Sequence, residues 1–141
     1  MRLLDAADRP SGALRDRLIG KGYDDETVAA VVDRLIEVGL VDDESYAQSA
    51  VRYCVGRLMG YRGAVMELAR KGVDRPLAER VCDEARMSGV FEDAAWELGR
   101  RSAAKTQGMD PKVRKRRFWS SGGRKGHDAE TLRAIAHELF D

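Results

Sequence analysis

Three times the chain spells Lys-Gly-x-Asp: Lys21-Gly22-Tyr23-Asp24, Lys71-Gly72-Val73-Asp74 and Lys125-Gly126-His127-Asp128, at intervals of 50 and 54 residues. Glycine tolerates the left-handed conformation that closes a helix, and an aspartate side chain accepts the free N–H groups that open the next, so each string reads as stop, turn, start. A period near this length belongs to stacked helical arrays, in which each unit buries too little alone and completes its core on its neighbour.

The residues around each string support a helical reading. Four positions after each Asp stands an apolar side chain, Val28, Ala78 or Leu132, placed to staple onto Tyr23, Val73 or His127, with His127 the weakest of the three. Beyond it, apolar residues recur at helical spacing: Val28, Val31, Val32 and Leu35; Ala78, Val81, Cys82 and Ala85; Leu132, Ile135, Ala136 and Leu139. Upstream of the turn, Leu14 and Leu18 match Ala64 and Leu68, which gives each of these two copies a short first helix. Downstream, Gly39-Leu40-Val41-Asp42 aligns with Gly89-Val90-Phe91-Glu92 and Tyr46 with Trp96. A third helix is therefore predicted over about 42–57, burying Tyr46, Ala50 and Tyr53, and another over about 92–105.

The predicted fold is all-α: tandem three-helix repeats at 1–58 and 59–107, and a truncated third at 108–141. Together they stack as an elongated, curved, right-handed-type row of eight helices, with an additional turn at residues 2–7. Gly22, Gly39, Gly72, Gly89 and Gly126 are its structural turns. In the third repeat, Ser120-Ser121-Gly122-Gly123 is expected to break the first helix, because two adjacent glycines cost roughly 2 kcal/mol of helix propensity.

Charge is spread unevenly. Residues 1–50 hold 6 Lys/Arg against 11 Asp/Glu, residues 51–100 hold 9 against 8, and residues 101–141 hold 10 against 5. The chain is thus a dipole along its sequence, although its net charge is only +1. The basic end concentrates in Arg100, Arg101, Lys105, Lys112, Arg114, Lys115, Arg116, Arg117, Arg124 and Lys125, opposed by the single acid Asp110 and bordered by Phe118 and Trp119. Solvated helix faces usually mix both signs and gain i,i+4 pairs, whereas this cluster forgoes them. It suits a polyanion or the acidic surface of a partner, with Trp119 free to stack or anchor. The plainer alternative puts Val113, Phe118 and Trp119 in the core and leaves the charges as a solvated face.

The catalytic constellations fail. Cys54 and Cys82 have no metal-type spacing and read as buried, reduced thiols. His137-Glu138-Leu139-Phe140-Asp141 begins like a zinc-binding His-Glu-x-x-His but lacks its second histidine. The acid pairs Asp24-Asp25, Asp42-Asp43 and Glu92-Asp93 fall at predicted helix starts, where negative charge meets the positive end of the helix dipole. The chain is expected to be no enzyme and to hold no metal or cofactor. With no signal-peptide pattern and no membrane-length apolar run, it is expected in the cytoplasm, as a monomer.

Three stretches carry a family resemblance: Leu14-Arg15-Asp16-Arg17-Leu18-Ile19-Gly20-Lys21-Gly22-Tyr23, then Val38-Gly39-Leu40-Val41-Asp42-Asp43-Glu44-Ser45-Tyr46-Ala47, then Gly60-Tyr61 leading to Glu67-Leu68-Ala69-Arg70-Lys71-Gly72-Val73. In order and spacing these resemble the RecX family signature, specifically through residues 2–93 and more loosely beyond. The resemblance implies a tandem three-helix repeat protein that lodges in the groove of a RecA filament on single-stranded DNA. It implies inhibition of filament growth, ATPase, strand exchange and repressor cleavage in DNA repair and the SOS response. Weak direct DNA binding is a further expectation of the basic segment. The rival reading is a stand-alone helix-turn-helix DNA-binding module, since a short helix, a glycine turn and a second helix also sketch that motif. Glu79, Asp83 and Glu84 on the would-be recognition helix would repel phosphates. A small helical enzyme or metal protein is the remoter rival.

Overall fold

In the computed structural model, which describes residues 9–141, every regular element is a helix. In chain order these are α1 Ser11–Gly20, α2 Asp25–Glu37, α3 Asp43–Gly56, α4 Tyr61–Arg70, α5 Arg75–Met87, α6 Val90–Lys105, α7 Pro111–Arg124 and α8 Ala129–Phe140. The additional turn expected at residues 2–7 lies outside the described residues.

The punctuation behaves as its chemistry dictates. Gly22, Gly72 and Gly126 adopt φ of 97°, 99° and 87°. The residue after each glycine then turns its N–H back onto the preceding helix: Tyr23 to the Leu18 carbonyl at 3.3 Å, Val73 to Leu68 at 3.0 Å and His127 to Gly122 at 3.0 Å. Asp24 and Asp128 accept the backbone N–H of Thr27 and Thr131 at 2.7 and 2.8 Å, and Asp42 does the same for Ser45 at 3.1 Å. Asp74 accepts no such bond; there α5 carries Pro76 in its first turn. Gly39 and Gly89 are left-handed as expected, and so is Gly108, before α7, which no repeat had marked. Of the three staple residues, Val73 and His127 are buried and Tyr23 is the exposed one, so the weak member is Tyr23 rather than His127.

Packing groups the helices one step out of phase with the 50-residue offset. Leu14, Leu18, Val28, Val32, Leu35 and Val41 form a first core from α1, α2 and the segment after them. A second is built by α3, α4 and α5, with Phe91 closing it, and includes Ala47, Cys54, Leu68, Val73, Ala78 and Cys82. The third joins Ala95 and Leu98 of α6, Phe118 of α7, and Leu132, Ile135 and Phe140 of α8. Divisions at 58 and 107 would cut α3 and α6 away from the cores they line; the cores divide near 42 and 90. In this grouping the last unit holds three helices rather than a shortened set. Helix pairs with substantial contact lie within one unit or between the second and third. Two residues assigned to buried stripes face solvent instead: Val31, and Tyr53, whose ring has the Arg57 guanidinium carbon at 5.8 Å and the Lys71 ammonium at 5.2 Å.

The break expected at Ser120–Gly123 does not occur, and α7 continues to Arg124. The reason is steric. A Cβ on Gly122 would lie 2.4 Å from Cδ2 of Leu132, so the glycine lets α8 approach α7 closely enough to bury Leu132 beside Phe118. Burying one such side chain contributes about 1.5–3 kcal/mol, enough for the pair to offset the propensity cost of the two glycines.

Neighbouring units meet through a joint that occurs twice. The turn glycine of one unit lies against the helix at the same position in the unit before it. A Cβ on Gly12 would sit 2.4 Å from the Gly72 carbonyl oxygen, and one on Gly63 would sit 2.3 Å from that of Lys125. Hydrogen bonds fasten each joint. Ser11 at the start of α1 donates its N–H and hydroxyl to the Asp43 carboxylate, at 2.7 and 2.5 Å. The Gly60 N–H donates to the Lys125 carbonyl at 2.8 Å.

The two adjacent glycines of α7 should respond oppositely to alanine. Gly123 has open space around its Cβ position, so Gly123→Ala is expected to stabilise the chain by about 0.5–1 kcal/mol in urea unfolding. Gly122→Ala forces Leu132 out of place and should cost about 1–3 kcal/mol. Equal effects at the two positions would contradict the packing role.

Candidate functional site

A cleft of about 400 Å³ opens at the joint between the second and third units, between the C-terminal ends of α3 and α6 and one side of α7. Five cations line it, Arg57, Arg101, Lys105, Arg117 and Lys125, along with the hydroxyl residues Ser102, Thr106 and Ser121 and no carboxylate. Arg117, Ser121 and Lys125 follow one another at four-residue intervals and so share a face of α7 and its cap. Arg101 and Lys105 do the same on α6.

The expected basic segment is therefore divided rather than continuous. Arg100 and Arg101 both pair with Glu97, at 3.2 and 3.1 Å, and their hydrogen bonds hold its carboxyl below the ordinary carboxylate range. Arg114 is structural: it donates to the Thr106 hydroxyl and the Ala103 carbonyl, both at 3.1 Å, and its guanidinium carbon lies 5.1 Å from the centre of the Phe140 ring. Lys115 pairs with Asp141. Among the described residues Lys105, Lys112, Arg116, Arg117 and Arg124 form no ion pair. The alternative that placed Val113, Phe118 and Trp119 in the core holds for Phe118, which is fully buried; Val113 is half-buried, and Trp119 is 42% exposed on the opposite side of α7 from the cleft.

One side chain of the cleft wall also builds the joint: the Lys125 ammonium donates to the Arg57 carbonyl at 2.8 Å. Two residues on, outside the cleft, the His127 imidazole meets the Leu58 carbonyl at 2.8 Å. A carbonyl oxygen can only accept, so His127 must carry its proton on Nε2. Leu58 takes the left-handed φ of 62° within this clamped segment. Arg57 was not anticipated. It reaches the cleft from 68 residues away in sequence through the joint, and nothing local marks it.

No group of three or more His, Cys, Asp or Glu among the described residues is arranged to hold a metal ion. His137 is bonded to Asp141 at 2.8 Å. Cys54 and Cys82 are buried free thiols, and burial, with the neighbouring Cys54 second, pushes the Cys82 thiol up to about 12. That disfavours the thiolate needed for nucleophilic or metal-binding chemistry. No described helix is long and apolar enough to cross a membrane. Stacked helical units with a cationic cleft that no carboxylate lines define a helical-repeat protein.

The comparisons narrow that class. A family model described as RecX, first three-helix domain, matches residues 1–35. The Regulatory protein RecX of Thermobifida fusca is 37% identical over 143 residues, spanning 99% of this chain and 76% of that protein. The one from Mycobacterium sp. (strain JLS) is 48% identical over 77 residues, covering 52% of this chain and 41% of the relative. A crystal structure of RecX from Lactobacillus salivarius superposes with a TM-score of 0.80 at 20% identity, covering 97% of this chain and 94% of that one. The chain belongs to the RecX family of regulatory proteins.

Burial depresses the His127 pKa, opposed by its bond to the Leu58 carbonyl. A group whose folded-state pKa lies below its unfolded value contributes stability that is present above the unfolded pKa and lost as pH falls towards the folded one. The urea midpoint is therefore expected to fall as pH drops below about 6.5, and His127→Gln should flatten that part of the profile. A wild-type midpoint independent of pH from about 7 to about 5 would contradict a buried neutral His127.

Proposed function

We propose that this chain binds RecA recombinase filaments assembled on single-stranded DNA and inhibits filament extension, ATPase, strand exchange and co-protease activity, in DNA repair and the SOS response of the cytoplasm. Family membership supports the regulatory role, and the cleft is the observation that carries the ligand: five cations and no carboxylate line one joint of a stacked body. An isolated protein gains little by gathering like charges, which repel one another where opposite charges would attract. A phosphate backbone, or an acidic protomer surface beside it, supplies the missing compensation.

The stacked architecture suits a filament for a second reason. A filament is a repeating surface, and a ligand of repeated units can touch neighbouring protomers, so several modest contacts combine into useful avidity. The acidic first unit and the basic third give the ligand a direction along that surface. The outer face of α5 fits the helix-turn-helix rival poorly, because it carries the exposed Glu79 and Glu84 and the half-buried Asp83, paired with Arg75, Arg80 and Arg86 respectively on the same helix.

The test is co-sedimentation with RecA filaments on single-stranded DNA across a salt series. Arg57, Lys105 and Arg117, changed together to Glu, should weaken binding and flatten the dependence of log affinity on log salt by about 2, given about 0.7 per phosphate contact on a single strand. The pairing-committed residues Arg100 and Arg114 are left intact. Unchanged binding and slope would remove the cleft from the proposal, and absence of wild-type sedimentation would remove the filament.

A further inference from the structure

On the opposite side of α7 from the cleft, a shallow groove of about 570 Å³ is lined by Lys115, Arg116, Trp119, Arg133, Ala136 and His137, with Asp141 at its edge. Its acid is already engaged: Asp141 is paired with Lys115 and accepts from His137 Nδ1 at 2.8 Å. Arg116 and Arg133 form no ion pair among the described residues. In the same groove Trp119 leaves 42% of its surface in water, while its chain neighbour Phe118 is fully buried. An indole is a large apolar surface that a helix can bury at little cost in sequence, and here it is turned outwards in a groove that two guanidinium groups without ion pairs also line.

We propose that this groove binds an unpaired nucleobase of single-stranded nucleic acid, with the ring stacked on Trp119 and the flanking phosphates held by Arg116 and Arg133. Each nucleotide of a single strand offers a flat π-face beside a negative charge, which matches an exposed aromatic ring in a groove that cations also line. A duplex keeps its bases stacked inside and offers only the phosphates. An acidic peptide would satisfy the arginines but leaves the indole without a planar partner. The inference goes beyond the filament reading and is tested without any recombinase, so either can fail alone.

The experiment follows tryptophan fluorescence in the full chain carrying Trp96→Phe, which leaves Trp119 as the sole indole, during titration with short oligothymidylate. Saturable quenching is expected. An abasic oligomer with the same number of phosphates should quench far less. In the otherwise unaltered chain, affinity measured by anisotropy of labelled oligothymidylate should fall roughly 5- to 100-fold for Trp119→Ala, and Trp119→Phe should recover most of it. Arg116→Gln with Arg133→Gln should reduce the salt dependence while leaving some quenching. Equal quenching by the abasic oligomer, or affinity unchanged in Trp119→Ala, would overturn the stacking site. So would quenching by an acidic peptide but not by oligothymidylate. If the Trp96→Phe background fails to fold, the anisotropy series with Trp119→Ala and Trp119→Phe decides the question alone.

Discussion

A turn glycine seated against the helix of the preceding unit is the contact from which the arrangement of this molecule follows. Among the described residues the first and third cores hold six buried apolar residues each and the second twelve, so none gains by itself the large burial that stabilises a bigger single domain. Row-like stacking requires backbones to approach within van der Waals distance, and only residues without a side chain allow it. Gly12 and Gly63 supply that room on the receiving helices, and Gly72 and Gly126 supply it on the turns. One glycine thus performs two tasks, since the left-handed φ that ends a helix also presents a bare edge to the next unit.

The cationic cleft is a product of this joint. Arg57 and Lys125 belong to different units and meet because the turn after α7 lands on the segment after α3. That segment is held by Gly60, Lys125 and His127 through three hydrogen bonds, which also set the wall of the cleft. Change in the joint should therefore be felt in ligand binding, although its buried residues touch no ligand. The surrounding surface pairs, such as Arg70 with Glu67 and Arg75 with Glu79, are exposed and contribute little to this arrangement.

Local chemistry made much of this fold readable from sequence. Helix stops and starts depend on a glycine and an aspartate a few residues apart, so Gly22, Gly39, Gly72, Gly89 and Gly126 identified themselves. The phase of the units did not, because a repeat read along a chain has no origin: α3 follows the first turn as naturally as it precedes the second, and only packing assigns it. The helix through Gly122 and Gly123 was missed because propensity is local while the need of Leu132 for space is not. In the site, Lys105, Arg117 and Lys125 were visible as part of a charged run. The division of that run into a cleft, a structural Arg114 and a separate tryptophan face depends on helix rotation and on partners such as Glu97 and Asp141. Arg57 had no local signal at all.

The most direct test of the joint is the effect of Gly63→Ala on stability, because its sign separates two explanations. Gly63 lies inside α4 and lacks a positive φ, so in an unconstrained helix alanine would stabilise by up to about 1 kcal/mol. With the added Cβ forced to within 2.3 Å of the Lys125 carbonyl, the melting temperature should instead fall, and salt-dependent binding at the neighbouring cleft should weaken with it. A rise in melting temperature with binding intact would show that the second and third units do not lean on one another at this glycine.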